Sequence, residues 1–374
     1  MLQSRAPEVA QKLDAVARFL HDHSLDQILI QRRGPIGWLL AGVDTHVRQD
    51  TDEGVAIASV DRAARVQIVT DVIEAPRLVA EELPGLPVEV VTLPWTKKRL
   101  DIAVEHARKH GAQAIAAESP LGDLPVLSGG AAEAFRALRY SFCKEELERY
   151  RRLCHDCAID LEAVAGNLHK GMTEHEVAAD LALHVMQHGY RPTVVLVAFD
   201  ERIERFRHPV PTHKSLEHRA MVVLCAEHGG QVMAATRFAG LAPLEGELKR
   251  RFEAVVEIDA VANTVTRPGA PVRDVFSKIV AAYFKHGYAD EWMHHHQGGS
   301  IGYAGREYKG SHEATQVVRE NQPFAWNPSI TGTKCEDTLL AGKDHNEFLT
   351  ATGNWPTVDT IAGPRPTELL LENG

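Results

Sequence analysis

A chain of 374 residues, 44% hydrophobic and 25% charged, has ordinary globular composition and is too long for one typical core, so two or three domains are expected. Its 41 Lys and Arg against 51 Asp and Glu give a net charge of -10, which opposes non-specific attraction to nucleic acid or an anionic membrane. Residues 1–20 carry charges throughout, and no stretch approaches the roughly 18 apolar residues of a membrane span; no membrane and no nucleic-acid partner is expected, and the location expected is cytoplasmic.

The first 130 residues alternate helical and strand signals. Val9 to His23 is amphipathic, Gln27 to Ile30 is a short apolar run, and Gly54 to Val60 and Val66 to Thr70 follow. A helix near Glu74 to Glu82 then precedes a run at Val88 to Val91, and the pattern predicts an α/β domain. Leu121 to Ala131, with two prolines and adjacent Gly129 and Gly130, reads as the boundary, which gives domains 1–130 and 131–374. The second half opens with helices at Lys144 to Asn167 and Thr173 to His188. Strands are expected at Thr193 to Phe199, Ala220 to Ala226 and Gln231 to Phe238, and helices again at Glu245 to Val265 and Pro271 to His286. Helices on an antiparallel sheet make this half α+β. The five cysteines are odd in number and scattered, so no disulfide framework is read. Cys154 and Cys157 are taken as two small apolar residues at i and i+3 of one helix rather than a redox or zinc pair.

Three later segments carry the chemistry: Ala234-Ala235-Thr236-Arg237, the run His294 to Tyr303, and Asn321 to Leu340, which contains Asn327-Pro328-Ser329 and Cys335-Glu336-Asp337-Thr338. In order and spacing they resemble the creatinase / aminopeptidase P / methionine aminopeptidase family (M24), the pita-bread fold. Leu138 to Leu147, Gly171 to Glu174 and Pro35 to Gly42 extend the likeness over most of the chain. The resemblance implies an α/β N-terminal domain, an α+β pita-bread C-terminal domain and a homodimer. In its metal-dependent members two Asp, one His and two Glu hold two ions. Aligned on Thr236 and Arg237 and on the glycine turn, those positions fall on or near Val223 and on Ala234, Gly299, Asn327 and Glu336. Only Glu336 could serve, so no metal and no cofactor is expected.

By position in the same motifs His208 and His295 match the family's catalytic histidines. Histidine titrates close enough to neutrality to move a proton, and Glu336 could orient a ring or hold a cationic group. Creatinase itself is similar in keeping the fold without metal. The catalytic set read here is therefore His208, His295 and Glu336. Arg237, His296, Tyr303, Arg306, Trp326 and Asn327 are the expected substrate-binding residues, with arginine suited to a carboxylate. The expected activity is metal-independent hydrolysis of a non-peptide C–N bond in a small polar molecule. A metal-dependent Xaa-Pro-type aminopeptidase with rearranged ligands is the second reading, and a catalytically inactive pita-bread binding module the third. A local metal site on the triple histidine is chemically open, because neutral imidazoles bind zinc or nickel, but adjacent residues on a strand point to opposite faces and rarely chelate one ion.

Overall fold

The computed structural model describes residues 5–371. By contact the chain separates after Arg139 into two compact units, the first of which also takes in Gly229–Gln231. The sequence placed the division after residue 130. Helix α5 (Gly129–Arg136) moves it, because its Phe135 is 1% exposed and packs against Phe19 and Trp38 at ring separations of 5.2 and 6.5 Å. The glycine pair that reads as a linker is the start of a helix belonging to the first unit.

The first unit contains α1 (Ala6–Asp22), β1 (Gln27–Arg32), α2 (Arg33–Leu39), β2 (Glu53–Asp61), β3 (Val66–Asp71), the short α3 (Ala75–Arg77), β4 (Val88–Leu93), α4 (Arg99–Lys109), β5 (Ile115–Ala117) and α5. Its five-stranded sheet runs β4-β3-β2-β1-β5. The β1–β2 and β2–β3 pairs are antiparallel, while β3–β4 and β1–β5 are parallel. Leu29, Ile57 and Val69, on three adjacent strands, form a core with Ala103 and Ala107 of α4. This is the α/β domain the apolar runs anticipated, with α4 added.

The second unit opens with α6 (Lys144–Gly166) and α7 (Glu174–Gln187). Thr173 caps α7 in a reciprocal box with Glu176, so the first free N–H groups of that helix are satisfied from the side chain. Strands β6 (Arg191–Phe199), β7 (Arg219–His228) and β8 (Gln231–Gly240) form a sheet with β18 (Leu369–Leu370), in the order β18-β8-β7-β6; the short α8 (Glu201–Arg205) joins β6 to the β7 approach. Helices α9 (Gly246–Val265) and α10 (Val272–Lys285) follow. A second sheet, β10-β9-β11-β14-β15, is built from β9 (Gly298–Ser300), β10 (Tyr308–Lys309), β11 (Gln322–Trp326), β14 (Asp337–Ala341) and β15 (Glu347–Phe348). The hairpin β12–β13 (Ser329–Ile330, Thr333–Lys334) lies between β11 and β14, and β16–β17 (Thr357–Thr360, Gly363–Pro366) precede β18. The core of this unit packs α9 and α10 against Met221, Val223, Phe238, Phe324, Trp326 and Leu339. Cys154 and Cys157 are both buried on α6, and burial raises both thiols far from reactivity. Among the described residues no helix is long and apolar enough to cross a membrane.

Candidate active site

Strand alternation decides which side chains reach the site. On β8, Ala234 joins a small buried cluster with Val232, Ile301 and Ala325, and Thr236, on the same face, donates its hydroxyl to Glu336 Oε2 at 2.8 Å. On β13 and just after it, Lys334 and Glu336 are two residues apart and converge. Lys334 Nζ lies 2.6 Å from Glu336 Oε2, and Arg306 Nη2, arriving from the turn after β9, lies 3.1 Å from Oε1. Glu336 is 2% exposed. Burial alone would raise its pKa, but Lys334, then Arg306, with the hydrogen bonds from Lys334 and Thr236, override it and hold the carboxyl down at about 2. Glu336 is a fixed anion at any working pH.

The histidines are placed by their neighbours. Arg207 pairs with Glu291, and Glu291 also accepts from the Thr331 hydroxyl at 2.8 Å and backbone N–H at 3.0 Å. Buried Gln297 donates to the carbonyls of Trp292 and His295 at 3.0 and 2.7 Å and accepts from the Tyr283 hydroxyl at 2.7 Å. With the segments on either side tied down, His208 and His295 meet with their Nε2 atoms 2.9 Å apart. His296 stacks on His295 at 4.4 Å between ring centroids, and its Nδ1 accepts the Gly298 N–H at 3.2 Å. One ring nitrogen from each of the three lies within 4.8 Å of the others. His294, in the short 3-10 turn Glu291–His294, is exposed.

Every imidazole in the cluster has its pKa lowered. Burial, then Lys334 and the neighbouring rings, push His295 down to about 3; burial, then Arg306 and Lys309, push His296 down to about 4. His208 is lowered by burial and then by Lys334. A ring that refuses a proton until such acidity is a weak general base at neutral pH, because proton transfer needs a pKa near the working pH. What the rings offer instead is uncharged nitrogen lone pairs.

Three of the expected binding residues, Arg237, Trp326 and Tyr303, are placed otherwise than the sequence suggested. Arg237 alternates with Thr236 and faces away, into a closed network. Its guanidinium meets Glu162 at 3.0 Å, Asp337 at 2.9 Å and the Thr350 carbonyl at 2.9 Å, and it is 2% exposed, so no donor of that fork is left for a ligand. Trp326 points opposite to Ala325, stacks on Phe324 at 5.7 Å and donates its indole N–H to Thr266 Oγ1 at 2.8 Å within the helix-side core. Tyr303 is buried against Phe142 and donates to Glu146 Oε1 at 2.8 Å on the first turn of α6. Asn327 is 3% exposed, and its Oδ1 has no hydrogen-bond partner among the described residues. Arg306, His208, His295, His296 and Glu336 do converge. Lys334 and Thr236 belong with them and were not among the expected site residues; the i, i+2 spacing of Lys334 and Glu336 on an extended segment is the signal that places both on one side.

The family's paired ions do not fit the positions that would hold them. Val223 and Ala234 are core residues without donor atoms, and Asn327 offers a neutral amide. A Cβ at Gly299 would stand 2.3 Å from the Tyr308 carbonyl oxygen, so the backbone leaves no room for a side chain there. Glu336 is already shared by two cations. Two hard divalent ions need several anionic oxygens converging on each, and one committed carboxylate does not supply them.

The second, α+β unit brings three imidazoles, two cations and one carboxylate together, and its architecture is that of the pita-bread domains. The model of metallopeptidase family M24 matches residues 148–343, more than half the chain, and the protein belongs to that family. It is 25% identical over 234 residues to an Xaa-Pro dipeptidase of Pyrococcus horikoshii, a match that covers 59% of this chain and 65% of that protein, just under two thirds of the relative. The solved prolidase of Pyrococcus horikoshii OT3 superposes with a TM-score of 0.76 at 19% identity, covering 91% of this chain and 98% of that one. The N-terminal domain of the FACT complex subunit SPT16 from Cicer arietinum superposes at 0.71 with 13% identity, over 93% and 97%. These establish the α/β plus pita-bread architecture. They overturn the expectation of a creatinase-like, metal-independent hydrolase of a non-peptide C–N bond, because the matching family is one of metallopeptidases and the matching relatives are Xaa-Pro dipeptidases.

Proposed function

We propose that this chain is a peptidase of the Xaa-Pro dipeptidase kind, acting on a short peptide through the cluster of His208, His295, His296, Arg306, Lys334 and Glu336. Family membership and the dipeptidase relatives support the reaction class. The observation that carries the substrate side is the charge balance: Arg306 and Lys334 both converge on one carboxylate, and a surplus cation remains beside three neutral rings. Among the described residues Arg306 Nε is buried with no hydrogen-bond partner. A peptide carboxylate is a small anion that a guanidinium and an ammonium together can hold. The reading includes a homodimer and a cytoplasmic location, checked by light scattering and by cell fractionation.

Hydrolysis of a dipeptide panel, Xaa-Pro against Xaa-Ala and Pro-Xaa, followed by release of free amino acid, tests the proposal. Xaa-Pro cleavage abolished by His295→Ala supports it; no turnover of any dipeptide refutes it. The absence of anionic side chains at Val223, Ala234, Gly299 and Asn327 favours one other reading, a binding module without catalysis. Under that reading peptides raise the melting temperature by mass action while none is cleaved.

A further inference from the structure

The geometry points to a single-ion site formed by His208, His295 and His296, one that takes a borderline ion such as zinc in place of the family's carboxylate-held pair. The inference rests on the peptidase reading and gives it a different centre.

Facing Nε2 atoms 2.9 Å apart require a proton on one of the two rings. A tetrahedral zinc ion with bonds of about 2.0–2.1 Å holds two such nitrogens about 3.3 Å apart, so exchanging that proton for an ion opens the pair by a few tenths of an ångström. His208 and His295 come from separate segments, α8 to β7 and the approach to β9, each clamped through the Arg207–Glu291 pair and Gln297. The pair is therefore set by the fold rather than by one flexible loop. His296 needs more movement. Its Nδ1 accepts from Gly298, which leaves the proton on Nε2, and it stacks on His295, so it joins by turning about its side-chain bonds and giving up one long N–H···N contact. Neutral imidazole is the form that binds. His295 Nδ1 is buried with no partner among the described residues, and binding through Nε2 fixes the proton on that atom.

Ligand chemistry selects the ion. Imidazole nitrogens suit zinc, nickel or cobalt, whereas manganese, magnesium and calcium call for the oxygens that Val223, Ala234 and Gly299 lack. Three protein ligands leave one tetrahedral position open, the pattern of catalytic rather than structural zinc. Glu336 is not a fourth ligand, because Lys334, Arg306 and Thr236 already engage its oxygens. Lys334 and Arg306 also oppose a dication electrostatically, so the affinity is weaker than that of an ordinary three-histidine centre, and removing Lys334 should strengthen it.

Titration calorimetry of the untagged, chelator-stripped chain with zinc, paired with visible absorption after cobalt(II) addition, tests this. One ion per chain is expected, with tetrahedral cobalt bands. Affinity should fall at least tenfold in His208→Ala and in His295→Ala, both variants retaining the wild-type melting temperature, and rise in Lys334→Met. No binding, two ions per chain, or binding indifferent to both histidine variants overturns it. His208 is at the surface, so its variant tests the site even where the His295 change disturbs folding. The two readings fail separately: dipeptide hydrolysis by a chain that takes up no ion in the titration removes the ion site and leaves the peptidase, whereas one histidine-held ion without turnover of any dipeptide removes the peptidase and leaves the site.

Discussion

Replacing Glu336 by Gln removes one negative charge from between two cations and changes almost nothing in shape. The carboxyl drops from its ordinary 4.5 to about 2 on folding, and at about 1.4 kcal/mol per tenfold this difference corresponds to about 3 kcal/mol of preferential stabilisation of the ionised form. Because the folded value lies below the unfolded one, that stability is complete above about pH 4.5 and is lost as pH falls towards about 2. Glu336→Gln should therefore lower the unfolding free energy at pH 7 by about 3 kcal/mol, leaving Lys334 and Arg306 close together without their counter-charge. It should also flatten the acid limb of stability between about pH 4.5 and 2, because the titrating group is gone. Urea unfolding followed by circular dichroism from pH 7 to 2.5 measures both effects. A loss under about 1 kcal/mol at pH 7, or an unchanged acid limb, would show that Lys334 and Arg306 do not hold the carboxylate as described.

Arg237→Met should cost about 3–5 kcal/mol by leaving Glu162 buried without its cation and Asp337 with Arg365 alone, and a full-strength fold with a raised KM would instead return Arg237 to the pocket. Trp326→Ala, opening a cavity between β11 and α9, should cost about 3–5 kcal/mol; thermal melts check it, and a loss of substrate binding at unchanged stability contradicts the core placement. Tyr303→Phe should cost about 1 kcal/mol through the lost bond to Glu146 and leave KM untouched, as unfolding curves and dipeptide kinetics on one preparation will show.

Periodicity reveals most of this architecture. The amphipathic stretches at Val9, Lys144, Thr173 and Glu245 all become helices, and the apolar runs of the first 130 residues become adjacent strands of one sheet. The motif order reveals the second unit. What motif position does not settle is facing. Thr236 and Arg237 are neighbours, as are Ala325 and Trp326, and in each pair one residue turns to the site and the other to the core. The phase of a strand is fixed by partners distant in sequence, Glu162 for Arg237 and Thr266 for Trp326. The triple histidine illustrates the same limit. As a strand it would send adjacent rings to opposite faces, but residues 295–297 precede β9, so His295 and His296 can stack side by side next to His208. Protonation was also hidden. Twenty histidines in the composition suggest proton transfer, and only burial beside Lys334, Arg306 and Lys309 shows that His295 and His296 stay neutral and that His208 is lowered.

The central claim, a peptidase whose cations receive a peptide carboxylate, is tested most directly by comparing kcat/KM for an Xaa-Pro dipeptide and its C-terminally amidated form, in wild type and in Arg306→Ala. The account predicts that amidation lowers wild-type kcat/KM by at least tenfold and has little effect on the variant, since the lost charge and the lost guanidinium remove the same contact. Equal turnover of free and amidated dipeptide by the wild type, or no cleavage of either, would contradict it.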